Sequence, residues 1–151
     1  MATKARFLVF ALMLAFPGTL PAADDAPVFP EYAGKVIVVD FWASWCVPCR
    51  RSFPWLNAMH DRYGDDGLVI VGVNLDQSRS DAKTFLADFP PRFRIVYDTG
   101  KTLARRFEVM AMPTSYLIGR DGRQIVRHLG FRVRKQGEYE SAIVAALNDE
   151  E

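Results

Sequence analysis

Val38-Val39-Asp40-Phe41-Trp42-Ala43-Ser44-Trp45-Cys46-Val47-Pro48-Cys49-Arg50 carries a buried strand straight into a pair of thiols. Its first half lies in Lys35–Phe41 (KVIVVDF), a β-branched run of the kind that makes a strand buried on both faces. Its second half opens a helix. From Cys46 to Tyr63, the apolar residues Phe53, Leu56, Met59 and Tyr63 recur close to helical spacing, and Gly64 and Gly67 end it. Pro54 removes the N–H that would bond the Arg50 carbonyl, so a kink is expected there.

Downstream the strand–helix alternation continues. Leu68–Leu75 (LVIVGVNL) reads as a second buried strand, and Ser80-Asp81 as the cap of a helix reaching about Asp88, stopped by Pro90-Pro91. Arg94–Tyr97 reads as a short strand and Thr99–Phe107 as a short helix. Thr114–Ile118 and Gln124–Leu129 flank Arg120-Asp121-Gly122-Arg123, a hairpin signal, and Glu138 to Leu147 closes the chain as an amphipathic helix. The order implies an α/β fold, a central mixed sheet flanked by helices.

The composition agrees. In 151 residues, 50% are hydrophobic, and 19 Lys and Arg balance 18 Asp and Glu, so a core can form and strong non-specific nucleic-acid binding is excluded. The amino end reads differently. Lys4 and Arg6 precede an apolar run, Phe7 to Phe16, followed by Pro17-Gly18 and the small Ala22. These are the parts of a secretory signal peptide, expected to span residues 1–22. An uncleaved anchor would need about 20 apolar residues, roughly twice this run. No cysteine follows the run to accept a lipid. Cleavage would leave 17 basic against 18 acidic residues in an exported, near-neutral protein, with a short segment 23–34 ahead of a domain at 35–151.

Cys46 and Cys49 are the only cysteines. At a helix start the first thiol faces N–H groups that favour its thiolate, while the second is shielded within the turn. Three other readings stand beside a redox pair. A purely structural bridge would constrain the unfolded chain little over so short a loop. A metal half-site would have only His60 and His128 as further soft partners, and His60 lies about three turns along the same helix. A buried pair of small hydrophobes satisfies the spacing too. Asp40 stands in an otherwise apolar run, so ionising it carries a desolvation cost; it should titrate high and could relay the proton of Cys49, unless it reaches solvent at the strand end. Trp42 and Trp45 are candidates to border the thiols, Trp45 the more so as the neighbour of Cys46.

The stretch from Val38 to Arg50 resembles the active-site segment of the thioredoxin superfamily. Phe53-Pro54 and the amino-terminal signal make the chain most similar to the exported TlpA/ResA-like thiol–disulfide reductases. Met112-Pro113-Thr114 is similar to that family's cis-proline loop, and Gly130 to the glycine after its last strand. The resemblance implies a thioredoxin fold with Cys46 as attacking thiol, Cys49 as resolving thiol and Asp40 as proton relay. It also implies a substrate surface at Trp45, Val47, Pro48, Met112 and Pro113, with no cofactor or metal. Two positions depart from the family pattern: Ser52 stands where many exported relatives carry glutamate, and Gly72 where thioredoxins often carry a lysine partner for the aspartate. The function implied is a periplasmic reductant of protein disulfides, with cytochrome c maturation or copper-site cysteines as clients. Its expected partners are a disulfide-bearing exported protein and a membrane-embedded thiol electron donor, and a monomer is expected. An oxidant that donates disulfides, and a Cu(I)-binding thiol module, are the alternatives.

Overall fold

Every residue of β1 (Val36–Trp42) is buried, as its unbroken apolar run requires. Alternation divides the strand between two cores. Val36, Val38 and Trp42 join a cluster built with Phe53, Leu56 and Met59, whereas Ile37, Val39 and Phe41 join one built with Tyr116 and Ala104. The computed structural model describes residues 28–149, so the expected signal segment 1–22 lies outside the described residues.

After β1 come α1 (Cys49–Tyr63), β2 (Leu68–Asn74), α2 (Arg79–Asp88), β3 (Arg94–Tyr97) and α3 (Thr102–Arg106). The chain continues with β4 (Thr114–Ile118), β5 (Gln124–Leu129) and α4 (Gln136–Asn148). The strands form a five-stranded sheet in the order β3-β2-β1-β4-β5. β1 pairs in parallel with β2, and β2 with β3, while β4 runs antiparallel to both β1 and β5. This is the expected mixed sheet, with α1, α2 and α4 contributing to one core and α3 to the other.

Four local readings shift. The first helix begins at Cys49 instead of Cys46, because a turn closed by Cys46 N–H on the Ala43 carbonyl intervenes. Gly64 keeps right-handed helical angles beyond Tyr63, so the reversal falls to the residues after it. α2 is capped by Ser78, whose side chain accepts the Ser80 N–H, two residues before the expected cap. α3 starts at Thr102 because the buried Asp98 carboxylate accepts the N–H groups of Thr102 and Ala104 at 2.8 Å each. α1 itself continues uninterrupted through Pro54.

Glycine matters most at Gly72, which pairs with Asp40 across β1 and β2. A Cβ there would come within 2.9 Å of Ile95 Cδ1, 3.0 Å of Phe93 Cε2 and 3.2 Å of Trp42 Nε1. The Trp42 indole that a Cβ would meet packs in turn with Phe53 and Phe85, edge-on and tilted, with ring centroids 4.8–5.0 Å apart. Among the described residues, no helix is long and apolar enough to cross a membrane.

Candidate active site

Cys46 and Cys49 are joined by a disulfide at the carboxyl end of β1, their Cα atoms 5.3 Å apart. The loop carrying Cys46 is pinned from β2. Asp76, itself buried, accepts the Ser44 backbone N–H at 2.9 Å and the Ser44 hydroxyl at 2.9 Å, and the Asn74 amide donates to it at 2.8 Å. Neither Ser44 nor Asp76 stands out in the sequence; a Ser in the loop and an Asp three residues before a helix read as ordinary turn chemistry.

Both sulfurs are nearly enclosed in this oxidised state, Cys46 being 3% exposed and Cys49 0%. Their neighbours are not: Trp45 is 67% and Val47 62% exposed, so an apolar surface frames the disulfide. The N–H groups that would favour a thiolate are already used. Cys49, Arg50 and Arg51 donate to the carbonyls of Cys46, Val47 and Pro48 at 3.1–3.2 Å. The helix start therefore offers the first thiol less than the sequence suggests.

The cis-proline loop lies over the same core. The Met112–Pro113 bond is cis, Pro113 is buried, and Met112 packs against the cluster that contains both cysteines. Gly130 N–H donates to the Pro113 carbonyl at 2.8 Å, which ties this loop to the end of β5. Trp42 is a core residue, fully buried among Phe53 and Phe85, and does not border the thiols at the surface. Ser52 is buried too, its hydroxyl donating to the Cys49 carbonyl at 3.1 Å.

Asp40 has no exposure, so the reading of a solvent-facing strand end is corrected: the strand continues to Trp42 and covers it. Burial pushes its carboxyl up to about 7, and the Ser115 hydroxyl, donating to Oδ1 at 2.5 Å, partly offsets that. Its other oxygen, Oδ2, is buried without a hydrogen-bond partner. The lysine missing at Gly72 has no room either, since even a Cβ there crowds three side chains. Ser115 went unnoticed in the sequence. The available signal is modest: a small serine two residues beyond Pro113, between Thr114 and Tyr116 in a strand that ends in Leu117 and Ile118. Among the described residues no cluster of three or more His, Cys, Asp or Glu side chains could hold a metal ion.

A thioredoxin-like family model matches residues 34–124. The thiol-disulfide oxidoreductase ResA of Bacillus thuringiensis subsp. konkukian is 29% identical over 108 residues, covering 72% of this chain and 62% of its own length. ResA of Bacillus subtilis is 24% identical over 131 residues, covering 79% of this chain and 73% of its own. The chain thus spans about 62% of the first of these relatives. Among solved structures, a Chlorobium tepidum protein assigned as thiol:disulfide interchange protein DsbE superposes with a TM-score of 0.77 at 44% identity. That match covers 78% of this chain and 84% of the other.

Proposed function

The chain belongs to the thioredoxin-like family, and from that premise we propose that it is an exported thiol–disulfide oxidoreductase that reduces protein disulfides in the periplasm. The observation that carries the reading is the Cys46–Cys49 disulfide, set between a buried strand and a helix on the sheet face that also holds Asp40. In the dithiol form, the Cys46 thiolate attacks a client disulfide and one client sulfur leaves as thiolate. Asp40 accepts the Cys49 proton, and the Cys49 thiolate attacks Cys46 of the mixed disulfide. The enzyme's disulfide closes and the client leaves with both sulfurs reduced, two electrons having passed from enzyme to client. Trp45, Val47 and Pro48 on one side and Met112 and Pro113 on the other form the client surface, where the Met112 backbone is available for strand-like pairing. A membrane-embedded thiol donor returns the two electrons. Family likeness supports cytochrome c precursors or copper-site cysteines as clients.

Direction follows from how well the reduced form is stabilised. The N–H groups of the helix start are bonded within the turn, and neither Val47 nor Pro48 carries charge. The Cys46 thiolate is therefore stabilised only moderately, which keeps the disulfide hard to reduce. A glutathione equilibrium titration tests this. The expected potential lies near the thioredoxin value of about −270 mV; one near the strong oxidant's value of roughly −120 mV would make the protein a disulfide donor instead.

A further inference from the structure

One cross-strand row of the sheet contains more chemistry than the dithiol needs. Gly72 on β2 pairs with Asp40 on β1, Asp40 with Ser115 on β4, and Ser115 with His128 on β5. Directly paired residues share a sheet face, with Cβ atoms roughly 4.5–5.5 Å apart. The row therefore passes from a bare glycine through a buried carboxyl and a hydroxyl to an imidazole on the edge strand. Beyond Ser115 it opens into a cavity of about 20 Å³, lined by Val38, Trp55, Ser115, His128, Phe131 and Tyr139. That volume holds about one water molecule, with the Ser115 hydroxyl and the His128 ring as polar partners. His128 also lines a surface pocket with Arg132, Lys135 and Glu138, so it touches both the interior cavity and solvent.

The dithiol chemistry makes a path of this kind necessary. When Cys49 gives its proton to Asp40 and the disulfide closes, Asp40 is left protonated, and both residues are fully buried. Its Oδ2 has no partner, and Ser115 is the side chain that bonds its other oxygen. We propose that the proton Asp40 takes from Cys49 leaves through the Ser115 hydroxyl and a cavity water to His128, and from there to solvent. The proposal rests on the reductant reading above. The step is a proton transfer alone: the Asp40 O–H donates to Ser115 Oγ, the Ser115 proton passes to the water, and a water proton passes to the imidazole. His128 then releases a proton outward, and no electrons move.

The charges around each end fit the direction. Besides burial, the Ser115 hydrogen bond is the influence that acts on Asp40. At His128, burial lowers the imidazole's affinity for a proton, Glu138 raises it and Lys135 lowers it, so on balance the ring holds a proton less readily than a free imidazole. The uncharged neighbours of the ring are Tyr139 of α4, with ring centroids 4.4 Å apart, and Trp55 of α1 across the cavity. Arg127 and Arg132 flank it on the solvent side.

The test uses an aromatic disulfide whose thiolates stay ionised at about pH 8, so that protons reaching an indicator dye come from the enzyme alone. Reduced protein is mixed with it in unbuffered solution, and thiolate absorbance and dye signal are followed in one stopped-flow record. In the wild type, the second thiolate and the proton are expected together. In Ser115→Ala and in His128→Phe, which keeps a ring beside Tyr139, the proton should lag the second thiolate by about tenfold, and Ser115→Thr should abolish the lag. A proton that keeps pace with the second thiolate in both variants overturns the relay, as does an equal slowing of both signals. Failure of the wild-type dithiol to release any thiolate overturns the reductant reading instead.

Discussion

Asp40→Asn isolates the cost of one buried carboxylate. In the folded protein its carboxyl titrates at about 7, against an ordinary value of 3.8. Between those values the folded state holds a proton that the unfolded chain has released, so wild-type stability falls as pH rises. Asp40's contribution is fully present below about pH 4 and lost by about pH 8, at up to roughly 1.4 kcal/mol per pH unit. Over the interval from 3.8 to about 7 the loss totals roughly 4 kcal/mol. Asparagine cannot ionise, so the variant lacks this slope. Its amide keeps an acceptor for Ser115 but places an N–H₂ group where Oδ2 has no partner, a pH-independent cost of about 1–3 kcal/mol. The stability difference between the two proteins therefore changes with pH. Denaturant unfolding of both oxidised proteins, from about pH 3 to about pH 9, should show Asp40→Asn gaining roughly 4 kcal/mol on the wild type, with equal m-values. A difference constant to within about 1 kcal/mol across that range would refute the buried-carboxyl argument.

Cys46→Ser should abolish client reduction, because the proposed attacking thiol is gone; substantial turnover in an insulin-reduction assay would remove Cys46 from that role. Gly72→Ala should destabilise by about 1–3 kcal/mol, since its Cβ meets Ile95, Phe93 and the Trp42 indole within 2.9–3.2 Å. An unchanged denaturation midpoint would show that these rings give way freely. Asp76→Ala strips the acceptor from Ser44 and Asn74 and should cost about 1–3 kcal/mol. Amide exchange at Ser44 should quicken with it, and unchanged protection would mean that the loop is held by other contacts.

How much of this was legible depends on how far apart the cooperating residues lie. The helix after β1 could be read from Phe53, Leu56 and Met59 because its period is local, and the strands Arg94–Tyr97, Thr114–Ile118 and Gln124–Leu129 fell at the expected residues for the same reason. The thiol spacing is local as well, and so is the proline that precedes Thr114. Boundaries were less legible where a distant side chain supplies the cap or where a turn consumes the first N–H groups. The late start of α1 is of the second kind. In α3 the cap comes from Asp98, which is also buried, a placement that the helix's own residues do not encode.

By itself the sequence determined that a doubly buried strand meets a Cys-x-x-C helix, and that a carboxylate interrupts the strand's apolar run. These follow from side-chain chemistry and spacing along the chain. What the carboxylate faces was decided only by the tertiary structure. Ser115 lies 75 residues from Asp40 and meets it because β4 pairs with β1 in one register; a slip of one residue would turn Ser115 to the other side of the sheet. The same register sets His128 beside Ser115 and, with the β1–β2 pairing, puts the bare Gly72 on the other side of Asp40. Local pattern makes a strand, but cross-strand pairing chooses its neighbours, and here those neighbours decide where a buried proton can go.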